Sequence, residues 1–594
     1  MSDIIEKLHG RVSAEAEKNI ILWLTEVKYK EYVSQIEELI DNQEWKQLED
    51  SFFKVIEFGT AGRRGTTGVG SNRINKVTIG ESAQALCSYV KSFDEDAASK
   101  GVAIAYDTRL TSDSLSKFTA QVCAANGFKV YLFSEYRSTP ELSFAVRHLG
   151  AAAGIVISAS HNPPSDNGFK AYWNDGGQLV APHDKGVLLE AERTTEILVA
   201  DFDEAVQAGE IIMIDDEIDK AYYQAAIRES ETNARDINII YSPLHGAGQT
   251  NVLPVLREAG FRHVQAVGEQ MIPDGNFPTI PTGKPNPEEK AANDMAVQYM
   301  MDRNADIAIT NDPDADRFGI IVRTDSEPVY LTGNQSTVLA ADYVLKTQRN
   351  KGALTSLHYI TKTIVTTDML NALADDYKVR MYDNLLIGFK YIGELIRKKE
   401  DTSEKFLLGG EESFGMLKGT YVRDKDGASG SLMLAEYAAE LKANGKTLHD
   451  RLGELFVEYG VYAETLANVQ LPGADGFEKM QKIMDALRSH TPTTIAGREV
   501  SMVSDYKDLI KRNLVSGETG VIDCIPGNVI VFEFGDVRRR VTVRPSGTEP
   551  KLKLYVQWYE DSEAGTVKEV HAQYERLLAE LNQFASSIEE QFTS

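Results

Sequence analysis

Three times along this chain a short apolar run empties into a loop of polar residues. GIVIS at 154–158 opens SASHNPPSDNG, DIAIT at 306–310 leads into NDPDADR, and KFLLG at 405–409 leads into GEESFG. Runs this short, bounded by loop signals, read as buried strands. Helical patterns lie between them. VAIAY at 102–106 predicts a strand; 111–125 predicts a helix with Leu115, Phe118 and Val122 on one face and Gly127 as its stop. FKVYLF at 128–133 is a second strand, and a helix over about 139–149 leads into GIVIS. The order recurs with INIIY at 237–241, a helix ending at Gly260-Phe261, HVQAV, and a helix over about 287–301 before DIAIT. A weaker third copy runs from about 357 to KFLLG. Such alternation specifies largely parallel sheets covered by helices, where ligands bind beyond the carboxyl ends of strands.

The two ends of the chain differ from this pattern. Val33, Ile36 and Ile40, then Trp45, Leu48 and Phe52, recur at helical spacing and predict a helical extension over 1–50. Near the other end, VIVFEF, RRRVTVR and KLKLYVQW read as strands. A helix follows, carrying Val567, Val570, Tyr574 and Leu577, which makes an α+β module. The Pro and Gly breaks of 464–500 are expected to hold the junction. The expected organisation is therefore 1–50 helical, 51–236, 237–352 and 353–463 as three related α/β domains, and 464–594 as the α+β domain.

Composition narrows the function classes. With 63 Lys+Arg against 89 Asp+Glu the net charge is −26, which disfavours nucleic acid and anionic membranes as partners. No apolar run approaches the about 18–20 residues of a membrane span. Nor does the amino terminus carry a basic segment followed by an apolar one, so a cytoplasmic protein is expected. Cys87, Cys123 and Cys524 lie far apart in sequence and form no disulfide framework or zinc spacing.

The loops carry the chemistry. Ser160 follows a buried strand, with His161 and Lys170 near it in sequence as partners for a phosphate. A turn made of Ser, Asn, Pro and Gly is the plain alternative. Asp312, Asp314 and Asp316 alternate, and carboxylates so close require a cation; hard oxygen ligands suit Mg²⁺. An EF-hand is ruled out, because its sixth and twelfth positions would be Arg317 and Arg323. Glu411, Glu412 and Ser413 offer acceptors to sugar hydroxyls, although an acidic helix start explains them as well. Arg544 beside Ser546-Gly547-Thr548 forms an anion-holding loop that can also be a hairpin turn. Arg63 and Arg64, in another glycine-rich basic loop, EFGTAGRRG, are candidates to contact phosphate or phosphoserine, with surface solvation as the alternative. Neither a Walker A sequence nor a GxGxxG fingerprint occurs.

FGTAGRRG, SASHNP with NGFK, NDPDADR, GFK at 388–390, GEESFG and RPSGTEP, in this order, resemble the α-D-phosphohexomutase family of phosphoglucomutases and phosphomannomutases. The length and helical extension are most similar to its phosphoglucomutase/phosphopentomutase branch. The resemblance implies four domains around a central cleft, three α/β and one α+β. It implies phosphoserine at Ser160, and Mg²⁺ held by that phosphate with Asp312, Asp314 and Asp316. His161, Lys170 and Arg317 are implied beside the reacting oxygen. Lys390, Glu411 and Ser413 are implied on the sugar, and Arg544, Ser546, Gly547 and Thr548 on the distant phosphate. The implied reaction interconverts α-D-glucose 1-phosphate and glucose 6-phosphate, with glucose 1,6-bisphosphate as intermediate and activator. The implied partner is a small sugar phosphate, and a monomer or weak homodimer is expected. Phosphopentomutase or phosphomannomutase action, a non-catalytic phosphosugar binder and a metal-dependent phosphatase are the competing readings. Two positions depart from the family pattern: Arg63 stands where Leu is frequent, and Ile387 where Thr often precedes GFK.

Overall fold

The computed structural model describes residues 7–57, 62–471, 476–547 and 550–593. They form two compact units. The first comprises Met1–Glu229, Asn238–Phe318 and Thr420–Leu432; the second comprises Ser230–Ile237, Gly319–Gly419 and Met433–Ser594.

In the first unit the extension folds as helices Ala14–Thr25, Val33–Asp41 and Trp45–Phe52. Trp23, Tyr29, Ile36, Leu48 and Phe52 pack as one apolar cluster with Val69 and Val77 of the following segment. Asn19 Nδ2 donates to Phe52 O at 2.7 Å, which closes the helices on each other.

A six-stranded sheet follows: β1 (Arg63–Thr66), β2 (Val102–Tyr106), β3 (Val130–Phe133), β4 (Ala153–Ile157), β5 (Asp166–Trp173) and β6 (Ile211–Ile214), in the order β1-β5-β4-β2-β3-β6. β4, β2, β3 and β6 run parallel, while β5 turns back antiparallel on β4. β2 and β4 are buried along their whole length, as strands covered on both faces must be. Cys87 and Cys123 sit in this core as free thiols. They hydrogen-bond to each other, and that bond together with burial pushes the Cys123 thiol well up. The second layer of strands is β7 (Ile239–Ser242), β8 (Val264–Ala266) and β9 (Ile307–Asn311), all parallel with β7 in the middle.

The second unit holds, from Gly319 on, the hairpin of β10 (Phe318–Val322) and β11 (Val329–Leu331). It also holds a mixed sheet of β12 (His358–Thr363), β13 (Arg380–Leu385), β14 (Lys405–Glu411) and β15 (Gly415–Lys418) in the order β13-β12-β14-β15. Its last sheet is antiparallel throughout. The strands are β16 (Val461–Gln470), β19 (Met502–Asp505), β20 (Ile510–Asn513), β21 (Thr519–Val521), β22 (Ile530–Glu533), β23 (Arg540–Pro545) and β24 (Lys551–Glu560). A separate two-stranded ribbon pairs β17 (Thr494–Ile495) with β18 (Arg498–Glu499). Three mixed α/β sheets and a carboxyl-terminal antiparallel one with a covering helix, Val567–Thr593, are the expected fold class.

β16 pairs with β24 from Val461, and within 464–500 a helix, Gly476–Ser489, follows. The alternation of Leu552, Leu554 and Val556 drew attention to β24 but not to its partner, whose polar Glu464 and Asn468 mask the pattern. Residues 230–237 join the second unit because Arg235 and Ser230 bind Glu436, and Glu231 binds Lys351 and Lys418.

Glu464 gives a stability prediction. Burial pushes its carboxyl up to about 7, with Asp368 opposing ionisation and Thr367, Lys362 and Arg540 partly compensating. A carboxyl raised in the folded state adds stability at low pH and loses it as pH rises through the folded value. Glu464→Gln should therefore melt like the parent at pH 5 and be more stable at pH 8, by up to about 3 kcal/mol. Thermal melts at the two pH values measure this; equal melting at pH 8 would contradict the burial argument.

Candidate active site

The serine loop is shaped by a buried arginine. Arg109 donates through its two terminal nitrogens to Ser160 O (2.5 Å), Asn162 O (2.5 Å), Pro163 O (2.7 Å) and Asp166 O (2.9 Å). Its Nε lies 3.2 Å from Asp107, and Asp107 accepts from Ser158 Oγ at 2.6 Å. Ser158 Oγ in turn accepts from Ser160 N at 2.8 Å. These contacts hold Ser160 at φ 53°, the left-handed region that a serine rarely occupies. Ala315 (φ 51°) in the aspartate loop and Phe414 (φ 64°) in GEESFG share it, so each of the three loops carries one strained residue. Removing Arg109 takes a charged donor from four carbonyls and the counter-charge from buried Asp107, which keeps Ser158 and Ser112 as donors. Arg109→Met should cost roughly 3–5 kcal/mol, read from urea or thermal unfolding.

The three aspartates come together at the end of β9. One oxygen from each lies within 4.8 Å of the others, and all three residues are buried. Ser160 Oγ donates to Asp312 Oδ2 at 2.6 Å, and Arg317 N donates to Asp312 Oδ1 at 3.0 Å. Asp314 Oδ2 accepts from Thr139 Oγ1 at 2.7 Å and from Lys170 Nζ. Asp316 Oδ2 lies 2.8 Å from Lys425 Nζ. Burial and mutual repulsion push Asp312 and Asp316 up. Burial also acts on Asp314, but Lys170 and Thr139 outweigh it and hold this carboxyl well below the usual range. Asp314 Oδ1 and Asp316 Oδ1 are buried with no hydrogen-bond partner. Two orphaned oxygens in an all-oxygen set are what a hard divalent cation satisfies, so the residues fit a metal.

His161 Nδ1 lies 3.2 Å from Ser160 Oγ. Burial, with Arg317 and Arg64 close by, holds its imidazole well below the ordinary value. Arg317 Nη1 is anchored on Glu288 at 2.8 Å. Arg63 and Arg64 separate because successive side chains of a strand face opposite ways. Arg63 is buried and donates to Thr78 O at 2.6 Å and to Glu81 at 3.2 Å, a carboxylate also held by Lys28 of the extension at 3.1 Å. Arg63 therefore serves as a loop anchor in this structure, and only Arg64 of the pair acts on His161.

Sequence reading missed Lys425, Thr139 and Arg109. Lys425 is aimed by its neighbours: Asp424 accepts from Tyr172 Oη at 2.9 Å and Asp426 from Tyr222 Oη at 2.8 Å. Gly427 is needed next to them, since a Cβ there would lie 2.6 Å from Asn311 Nδ2 and 2.7 Å from Ala315 O of the aspartate loop. The polar run RDKDG at 423–427, standing directly before a helix, was the available signal.

The remaining expected residues lie in the second unit. GEESFG is a hairpin, with Glu411 paired to Gly415, rather than a helix start. Glu411 is buried, and Ser413 stands at the turn. Arg544 and Pro545 end β23, paired with Lys553 and Leu552 of β24, and Ser546 N donates to Lys551 O at 2.9 Å. Gly547 has open space around it. Thr548 lies outside the described residues. Burial pushes the Tyr555 phenol up, Glu412 and Glu411 act in the same direction, and Arg544 hydrogen-bonds to it. Lys390 is buried at the start of helix Phe389–Lys399, with its ammonium 5.1 Å from the Tyr391 ring.

Comparison with known proteins agrees with this arrangement. Four models match in succession: phosphoglucomutase/phosphomannomutase alpha/beta/alpha domain I over residues 55–197, domain II over 220–325, domain III over 332–459, and the C-terminal domain over 466–573. The chain belongs to the phosphoglucomutase/phosphomannomutase family. A phosphoglucomutase of Staphylococcus haemolyticus is 35% identical over 539 residues, covering 89% of this chain and 95% of that one. Among solved structures, parafusin, a Paramecium phosphoglucomutase in its open form, aligns with TM-score 0.64 at 18% identity, covering 89% of this chain and 95% of that one. A phosphoglucomutase/phosphomannomutase family protein of Burkholderia thailandensis aligns with TM-score 0.60 at 19% identity, covering 88% and 97%. The family's three α/β domains match the three mixed sheets, and its C-terminal domain matches the antiparallel one. Among the described residues no helix is long and apolar enough to cross a membrane.

Proposed function

We propose that this chain is a phosphosugar mutase interconverting α-D-glucose 1-phosphate and glucose 6-phosphate through phosphoserine at Ser160 and glucose 1,6-bisphosphate. The observation that carries the reading is the Ser160 hydroxyl, bonded at 2.6 Å to Asp312 of a buried carboxylate cluster with two orphaned oxygens. The 35% identity to a phosphoglucomutase supports it.

In the forward direction the free C6 hydroxyl of glucose 1-phosphate attacks phosphorus on Ser160. The O6–P bond forms, the Ser160 Oγ–P bond breaks, and the hydroxyl proton leaves to a base. His161 and Lys170 are assigned as candidate bases, Lys170 only in its neutral form, since its ammonium is paired with Asp314. The bisphosphate then turns round, and its C1 phosphoryl returns to Ser160. Asp312, Asp314 and Asp316, with the phosphate of Ser160, would hold Mg²⁺, which neutralises charge on the transferring phosphoryl when bound. Lys170, Arg317 and Lys425 add fixed positive charge around the same carboxylates. Glu411, Ser413 and Lys390 are assigned to the sugar, and Arg544, Ser546, Gly547 and Thr548 to the phosphate that is not reacting.

The test is turnover of glucose 1-phosphate, mannose 1-phosphate and ribose 1-phosphate with Mg²⁺ and a trace of the bisphosphate. Glucose 1-phosphate is expected to give the highest kcat/KM. A preference for ribose or mannose 1-phosphate replaces the substrate, and phosphate release without isomer formation replaces the reaction class.

A further inference from the structure

Within the second unit, the segments matched to the family's third and C-terminal domains meet along a seam. Ile364, Val365 and Leu386 pack there against Tyr506, Ile522, Val531 and Tyr555. An arginine crosses its centre. Arg540, buried on β23, grips Asp368 with both terminal nitrogens, at 2.6 and 2.9 Å. It also donates to Ile364 O at 3.2 Å and to Gln557 at 3.0 Å, and Gln557 donates to Thr366 O at 3.2 Å. On the far side Lys362 holds Asp368 at 2.9 Å and Thr366 O at 3.0 Å.

On either side of this network stands a segment that the mutase reading assigns to the ligand. Arg544 stands on the same face of β23 as Arg540, because residues two and four apart on a strand share a face. Thr366 donates to Gly410 O at 3.5 Å and Thr363 to Glu412 at 3.4 Å, at the root of the GEESFG hairpin. A neutral contact would fill the seam as well. A two-pronged guanidinium–carboxylate pair adds a fixed direction and distance.

We propose that Arg540, through its paired grip on Asp368, is a positioning residue that sets the spacing between the phosphate-holding segment at Arg544 and the sugar-facing turn at Glu411. The inference rests on the mutase reading for the roles of those segments. It separates distance-setting from simple cohesion, because only reactions that use the distant phosphate depend on the spacing.

Arg540→Met is the informative variant, since Asp368 keeps Lys362 as partner and no carboxylate is left alone. For glucose 1-phosphate, KM should rise about 10-fold or more with kcat within about threefold, the pattern of lost uniform binding. Hydrolysis of phosphorylated Ser160 by water, which involves no distant phosphate, should stay within about twofold. Arg540→Lys, which keeps charge but loses the fork, should fall between. A folded Arg540→Met enzyme with unchanged KM, or one whose hydrolysis and mutase rates fall together, overturns the proposal. Should the unmodified protein show no mutase activity, the functional reading fails by itself. Amide hydrogen exchange over β23 and residues 364–368 then still decides: faster exchange of both in Arg540→Met supports the grip of Arg540 on Asp368 as what fixes these segments, and unchanged exchange overturns it.

Discussion

Ser160→Ala is expected to abolish mutase activity, by about 10⁴-fold or more, while the protein stays folded. The nucleophile's oxygen is the only atom removed. Its one donated bond, to Asp312, contributes about 1 kcal/mol net, and the loop is fixed by Arg109 through backbone carbonyls that alanine retains. Left-handed backbone suits alanine no better than serine, so the local strain is unchanged. Loss of activity with an unaltered melting curve is thus the expected result, and coupled conversion of glucose 1-phosphate measures it.

Removal of divalent cation has the second largest expected effect. Three buried carboxylates share a space of 4.8 Å, and Lys170 and Lys425 each serve only one of them closely. Chelation should lower turnover by at least about 10²-fold, the rate equivalent of several kcal/mol of charge stabilisation, and Mg²⁺ should restore it. Mg²⁺ should also raise the melting temperature by a few degrees, since a ligand at 100 times its Kd stabilises by about 2.7 kcal/mol. Asp316→Ala should lose both responses. Full activity in excess chelator would contradict the assignment of these aspartates.

The apolar strands that lead into the loops, and all three loops, were legible in the sequence, because a buried parallel strand must be apolar and its loop need not be. DIAIT and NDPDADR show this directly: β9 is buried throughout, and the polarity changes within one residue of its end. The partners of the loops were less legible. Lys425 comes from a segment more than a hundred residues beyond Asp316, and only folding brings its ammonium to 2.8 Å. Arg109 was hidden for a different reason: its work is on backbone carbonyls, which leave no side-chain pattern to find. Arg63 was expected at phosphate because it stands in a glycine-rich basic loop. The pleat of β1 turns it to the face opposite Arg64, where Glu81 receives it. β16 was missed because Glu464, a carboxyl with a value near 7, lies in a strand that otherwise reads as buried only at its ends.

The central claim is that phosphate passes through Ser160. Incubation with glucose 1,6-bisphosphate labelled in its phosphates, followed by proteolysis and mass spectrometry, tests it most directly. One labelled phosphoryl group on the peptide containing Ser160, absent from Ser160→Ala and discharged by unlabelled glucose 1-phosphate, is the predicted result. Label on another residue, or turnover with no label on the protein, would contradict the account.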